Sequence, residues 1–211
     1  MAEPTIAWSE IVNQIYPRLH AADEASLKWW TEAQLRDLAN EAIQTMARGA
    51  LLFVRRDTSI STTHDVRSYS LPARHLATLH AAYSSKPLNP TDRALIDSLD
   101  YGADAAVCGT GEVPKRWYED TLSTHAAIAL YPSPSATATV SLIISQQPDL
   151  FTSTSSTLPI PACMKPFIAD YVVAGAWVMD SDFSMPEVAS HLAEKQAFYL
   201  DLFRAYWGPR Q

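Results

Sequence analysis

The sequence predicts an α+β fold: a helical bundle with an inserted small antiparallel β module. Three observations lead there. Apolar residues recur at spacings of three and four near both ends of the chain, over Leu35–Ala50 and again from Phe167 to Tyr206. From Asp57 to Pro148 the pattern changes to short alternating runs rich in Ser and Thr, punctuated by Pro and Gly. Helices, then strands, then helices is the order of an α+β protein. The expected organisation is a single domain over residues 1–211. Helices within 8–56 and 160–207 form the bundle, and the β insertion occupies 57–150.

The β module is organised around Glu112–Pro148. GEVPKRWYED is followed by AAIALYPSPSATATVSLIISQQP, in which Thr137, Thr139 and Ser141 alternate with Ala138, Val140 and Leu142. Period-two alternation marks a strand with one buried face, because successive strand side chains point opposite ways. Pro132 and Pro134 fix φ and lack a backbone donor, so the corner between the two runs continues neither strand. The expectation is a β-hairpin across Pro-Ser-Pro. Its Ser/Thr face and strand edges point to Thr137, Thr139 and Ser141 as a subunit interface.

Upstream, Ile11, Val12, Ile15, Tyr16 and Leu19 follow a helical period, with Ser9 as the expected N-cap and a bend at Pro17. His20–Lys28 reads as a connection. Thr31 and Gln34 then form a capping box, with Trp30 and Leu35 as a hydrophobic staple. Leu35, Leu38, Ala39, Ala42, Ile43, Met46, Ala47 and Ala50 share one helical face. The helix is expected to continue towards Val54 despite Gly49, which costs about 1 kcal/mol relative to Ala.

DTSISTT and VRSYSLP, divided at His64-Asp65, read as two short strands joined by a tight turn. ARHLATLHAAYSS fits helix or strand and is read as a strand after one helical turn. Residues 86–90 read as irregular, Thr91 as the cap of a short helix through Leu95, Ile96 and Leu99, and 101–111 as a loop. FTSTSSTL at 151–158 reads as a linker or exposed turn. Two helices close the chain. The first places Cys163, Phe167, Tyr171, Ala174, Trp177 and Val178 on one face. The second opens with a Ser184–Glu187 capping box, stapled by Phe183 and Val188, and ends at Gly208-Pro209.

The composition narrows the function. At 211 residues with 47% hydrophobic and 18% charged residues, the chain can bury a sizeable core. No apolar run approaches the roughly 20 residues of a membrane span. MAEPTIAWSE carries neither a basic nor an apolar signal region, so no secretory signal is expected. The two cysteines, Cys108 and Cys163, lie far apart and form no CxxC, which suits a reduced, cytosolic setting. A net charge of −7 argues against a nucleic-acid grip, which needs clustered Lys and Arg; Arg55-Arg56 and Lys115-Arg116 are only pairs.

Catalytic motifs are absent from the sequence. Gly109-Thr110-Gly111 lacks the rest of a dinucleotide loop. His75 and His80 are five apart, unlike the ligands of a helical zinc motif. Asp180-Ser181-Asp182 has the chemistry of a turn between helices. Ser123 and His125 lack a third partner, and nothing beside Cys108 would lower its pKa. No cofactor and no metal is expected. The aromatic residues from Tyr199 to Trp207 exceed what caps and turns need, and they suit a core or a protein interface equally.

An ordered series of segments carries a resemblance. These are LRDLANEAIQTMAR, SYSLPARH, SKPLNPTDRALIDSLD, GEVPKRWYED, ALYPSPSATATVSLIISQQP, LPIPACMKPFIADYVVAGAW and PEVASHLAEKQAFYLDLF. In this order they resemble the adaptor proteins of tailed bacteriophages, the head-to-tail connector subunits. The shared punctuation is a Tyr-x-Leu-Pro strand end, a Gly-x-Pro before an aromatic strand and a Tyr-Pro-x-Pro turn. Tyr101 and Gly102 stand where such proteins often have a Trp ahead of the Gly-x-Pro.

The resemblance implies a structural virion protein of the neck, made in the host cytoplasm and not an enzyme. It implies a ring, usually dodecameric, that docks on the portal protein and meets a tail or stopper protein on its other side. DNA passes through the lumen without sequence readout, and no membrane is involved. The carboxyl-terminal region commonly reaches the portal in such proteins, which singles out Tyr206, Trp207 and Arg210. Two other classes stay open on the residues alone. One is a small cytosolic enzyme using scattered groups such as Asp100, His125 and Asp180; the other is a non-viral interaction module.

Overall fold

The computed structural model describes residues 5–21, 23–27, 29–96, 113–120, 126–179 and 186–207. The chain divides into two compact units: Met1–Leu52 with Pro148–Gln211, and Phe53–Gln147.

The first unit is mainly helical. Strand β1 (Ile6–Ala7) leads into helix α1 (Trp8–Ile15), which tightens into a 3-10 turn over Tyr16–Leu19 at Pro17. The N-cap is Ala7 rather than Ser9; the Glu10 carboxylate accepts its N–H at 3.4 Å. Helix α2 (Glu32–Ala50) starts at the expected capping box. Thr31 N–H donates to Gln34 Oε1 at 2.8 Å, and Gln34 N–H donates to Thr31 Oγ1 at 3.3 Å. All eight residues assigned to its apolar face are buried. It stops at Ala50 because Leu51 turns into the left-handed region, at φ 51, where a helix cannot continue.

Helix α3 (Lys165–Met179) touches α1, α2 and α4 (Pro186–Trp207). It is apolar nearly all round, as a helix enclosed by its neighbours must be. Its buried side chains include Phe167, Ile168, Ala169, Val172, Val173, Ala176 and Trp177, whereas Cys163 and Val178 are exposed. Trp177 meets Trp30 edge-on at 5.5 Å, and Trp30 Nε1–H donates to the Ala176 carbonyl at 3.0 Å. Tyr171 is half-buried beside Glu41 and Thr45.

The Ser/Thr tract is ordered rather than a linker. Phe151 is buried against Trp8, and the Asn40 amide satisfies both of its backbone groups. Ser156 Oγ accepts from the N–H groups of Thr152 and Ser153, closing a turn, and β10 (Thr157–Leu158) pairs with β1.

Among its described residues, the regular structure of the second unit is β except for a short helical stretch at 93–96. Its strands are β2 (Val54–Ser61), β3 (Ser68–Ser70), β4 (His75–Tyr83), β5 (Lys86–Pro87), β6 (Asn89–Pro90), β7 (Arg116–Asp120), β8 (Ala127–Tyr131) and β9 (Thr139–Gln146). They form two four-stranded sheets, ordered β2-β9-β4-β5 and β3-β8-β7-β6. Ile60, Ala81, Tyr83, Val140, Leu142 and Ile144 of the first sheet share one core with Trp117, Ile128 and Leu130 of the second. On the other face of the second sheet, Ile96 covers Tyr118 and Ala129. That is why Ala127–Leu130 is buried on both faces and reads as a continuous apolar run.

The expected architecture therefore needs correction. The fold is mixed α+β with three sheets, not a helical bundle carrying a small β module. The reason lies in strand pairing. The Pro-Ser-Pro corner closes no hairpin: β8 pairs with β3 and β7, while β9 lies between β2 and β4 in the other sheet. With no backbone donor at Pro132 or Pro134, the corner carries the chain from one sheet to the next. The strands either side of His64-Asp65 likewise join different sheets. The expected cap at Ser184 and a helix through Leu99 fall outside the described residues.

Two substitutions test the two cores. Trp177→Ala removes a buried aromatic side chain and is expected to cost about 3–5 kcal/mol, read as a lower melting temperature. Val140, fully buried, tolerates no acid: Val140→Asp is expected to cost about 2–7 kcal/mol even as the neutral acid. Unchanged urea midpoints would place either side chain outside its core.

Candidate functional site

The titratable residues singled out from the sequence do not converge. His75 is buried at the start of β4, with Nε2 3.0 Å from Thr78 Oγ1 and 3.2 Å from Glu119 Oε1. The Thr78 N–H also donates to Glu119 Oε1. In a regular strand, residues 75 and 78 would face opposite sides. Irregularities in the β4–β9 register between His75 and Ala77, and between Thr78 and His80, turn both towards Glu119 on β7. The result clasps a strand of one sheet to a strand of the other. Burial pushes the Glu119 carboxyl up, but hydrogen bonds from His75 and Thr78 outweigh it and leave it below its ordinary value. His80 is exposed and takes no part. Among the described residues, no group of three or more His, Cys, Asp or Glu is placed to hold a metal ion. Asp100, Cys108, Gly109-Thr110-Gly111, Ser123, His125 and Asp180-Ser181-Asp182 lie outside the described residues.

Two grooves mark the helical unit. One, of about 430 Å³, is apolar and runs between α2, α3 and α4, where it is lined by Leu38, Tyr171, Gly175 and Val178. Gly175 lets Leu38 pack close: a Cβ would stand 2.7 Å from Leu38 Cδ2 and the leucine side chain would have to shift. The other, of about 250 Å³, is bordered by Trp8, Tyr16, Glu24 and Glu32. Burial, then Glu32, Glu24 and Asp23, push the Tyr16 hydroxyl up to about 12. A hydrogen bond shared with the accepting Glu32 carboxylate raises Glu24, and Trp8 Nε1–H also donates to Glu32. This wall offers acceptors and a phenol that stays protonated; it offers no activated nucleophile.

The predicted interface residues form two groups. Thr139 is exposed on β9 and Ser141 is half-buried, accepting from Arg56 Nε at 2.9 Å; Thr137 is exposed just before the strand. They belong to a sheet face and not to a sheet edge, since β9 is paired on both sides. Tyr206 and Trp207 end α4, and Arg210 lies outside the described residues. The last buried side chain described on α4 is Phe203, seated against Phe167 at 6.0 Å. Sequence reading missed two exposed groups. Arg56, Ile143 and His80 stand in one row across β2, β9 and β4, a row that only strand pairing assembles. Phe198 and Leu202 lie on the outer side of α4, and their four-residue spacing was a usable signal.

The clasp makes stability depend on acid. Because Glu119 sits below its ordinary value of 4.5 when folded, its contribution is complete above that value. It is lost as pH falls through the lowered one. Glu119→Gln is expected to destabilise the protein at pH 7 and to flatten the loss of stability below pH 4.5. An acid limb of the same slope in both proteins, measured by urea unfolding, removes Glu119 from this role.

Among the described residues, no helix is long and apolar enough to cross a membrane. No individually curated protein matches the chain significantly in sequence. A family model does, that of the SU10 adaptor protein, and it covers residues 7–210. The match spans both compact units and includes the whole ordered series of segments. It stands for a structural phage adaptor rather than a class of enzyme. The chain belongs to the SU10 adaptor protein family.

Proposed function

We propose that this adaptor is the ring subunit of a phage neck. Copies close into a ring, dodecameric in this reading, that docks on the portal protein. Its other side meets a tail or stopper protein, and DNA passes through the lumen without sequence-specific binding. The observation that carries the reading is the family match over residues 7–210. The net charge of −7 suits a lumen wall that does not hold phosphate. The protein is then a component of the virion, assembled from subunits made in the host cytoplasm.

Two surfaces serve assembly in this reading. Thr137, Thr139 and Ser141 contribute to contacts between neighbouring subunits. Tyr206, Trp207 and Arg210 engage the portal, the two aromatics supplying large apolar area at little cost in side-chain entropy. The chain also acts as one domain, residues 1–211. The lead-in and exit strands of the β unit favour this, because Gln146 N–H donates to the Phe53 carbonyl and the two ends are held together. Trp177→Ala and Val140→Asp then lower one and the same calorimetric transition.

Deleting residues 206–211 tests the portal anchor. The cut leaves Phe203 in its contact with Phe167, so the melting temperature and helical signal are expected to stay unchanged. Binding to portal rings in a pull-down is expected to be lost. A truncated protein that unfolds, or that still binds the portal, rejects the anchor.

A further inference from the structure

We infer that the Arg56–Ile143–His80 face of the first sheet docks on the outer stripe of helix Pro186–Trp207 of a second copy. This rests on the ring reading, and it names the surface that the face of Thr139 and Ser141 would meet.

A ring needs a heterologous contact, in which two different and mutually complementary patches recur on every copy. The chain offers such a pair. Arg56 and His80 flank Ile143 in register across three strands. The two side chains are exposed, and Ile143 is 38% exposed. Residues 139, 141 and 143 alternate onto the same side of β9, so the Arg56–Ile143–His80 row continues the Ser/Thr face. Ser141 Oγ holds the Arg56 guanidinium over that face.

The helix carries the opposite chemistry. Glu187, Glu194 and Asp201 recur every seven residues and are all exposed, Asp201 being ion-paired with Arg204 of the same helix at 3.1 Å. Phe198 is 64% exposed among them, and Leu202 adjoins it. The inward side is occupied: Leu192 and Phe203 are buried, and Lys195 reaches Asp170 at 2.7 Å. An aliphatic centre beside the Arg56 cation on one surface meets an aromatic centre with acids on the other. The pairing covers apolar area on both and places opposite charges together, while like pairings of either patch would repel.

Charge reversal tests it. The wild type, Arg56→Glu, Glu194→Arg and the double variant are compared by analytical ultracentrifugation, each alone and coexpressed with the portal. Melting curves and helical signal confirm the fold. Each single variant is expected to lose the assembled species. The double variant, and an equimolar mixture of the two singles, are expected to recover it, because reversed partners then face each other. Rings that form equally well in Arg56→Glu and Glu194→Arg overturn this contact and leave the ring reading standing. Single variants that lose assembly without recovery in the double or the mixture overturn the pairing as well. A wild type that stays monomeric alone and with the portal overturns the ring reading, and this inference with it.

Discussion

The helical unit depends on how one buried carboxylate is neutralised. Asp170 sits on α3 with its side chain almost wholly enclosed. Arg18 Nη1 approaches one oxygen to 2.6 Å, and Lys195 Nζ approaches the other to 2.7 Å. An ionised carboxylate taken out of water costs several kcal/mol unless cations and hydrogen bonds replace its hydration. The two cations come from different places, one from the 3-10 turn after α1 and one from α4. Apolar burial is indifferent to a small rotation of α3, which is apolar nearly all round. The carboxylate is not, because only one rotation presents it to both partners. The pair also acts on Lys195, whose hydrogen bond with Asp170 outweighs desolvation and raises its pKa. That contribution is complete below the ordinary value of 10.5 and is lost as pH rises through the raised one.

In the β unit the corresponding constraint is the central position of β9. It pairs along most of its length with β2 on one side and β4 on the other, so its backbone groups are satisfied within the chain. The edge strand β2 is interrupted instead. Its register shifts between Asp57 and Ile60, where the buried Asp57 carboxylate accepts from the Ser59 N–H at 3.3 Å and the Ser59 hydroxyl at 2.8 Å. A bulged edge is a poor template for another strand. Pairing with a further strand at that edge is thereby disfavoured.

These constraints explain what could be read in the sequence. The α2 face was legible residue by residue because helical period and a Thr-x-x-Gln cap are local properties. The inward side of β9 at Val140 and Leu142 was legible for the same reason. Strand partners were not, since alternation records which face is buried and says nothing of the neighbouring strand. The Pro-Ser-Pro corner looked like a hairpin because its flanks are adjacent in sequence, yet a donor-poor corner serves a change of sheet equally well. On α3 the error ran the other way. A helix buried on most sides has no distinct stripe, so Val178 was grouped on one face with Phe167 and Trp177 although it is exposed and they are buried. The clasp of His75, Thr78 and Glu119 was invisible because it needs register shifts that break the two-residue period.

Three of the shifted groups among the described residues owe their shifts to ion-pair partners, unlike Tyr16 and Glu24 at the smaller groove. Lys165 lowers Glu10, His75 and Thr78 together lower Glu119, and Asp170 raises Lys195. Each of these answers to a group of the same chain, as structural ion pairs do. A catalytic acid or base is instead held off its ordinary value while facing a space that substrate will fill. What faces outward here is of a different kind: Ile143 between Arg56 and His80, and Phe198 among carboxylates. Surfaces of that composition suit recognition by shape and charge. No short motif encodes them, because their members are brought together by strand pairing or by helical period alone. For an adaptor, the order of many weak segments is therefore more legible than any single site.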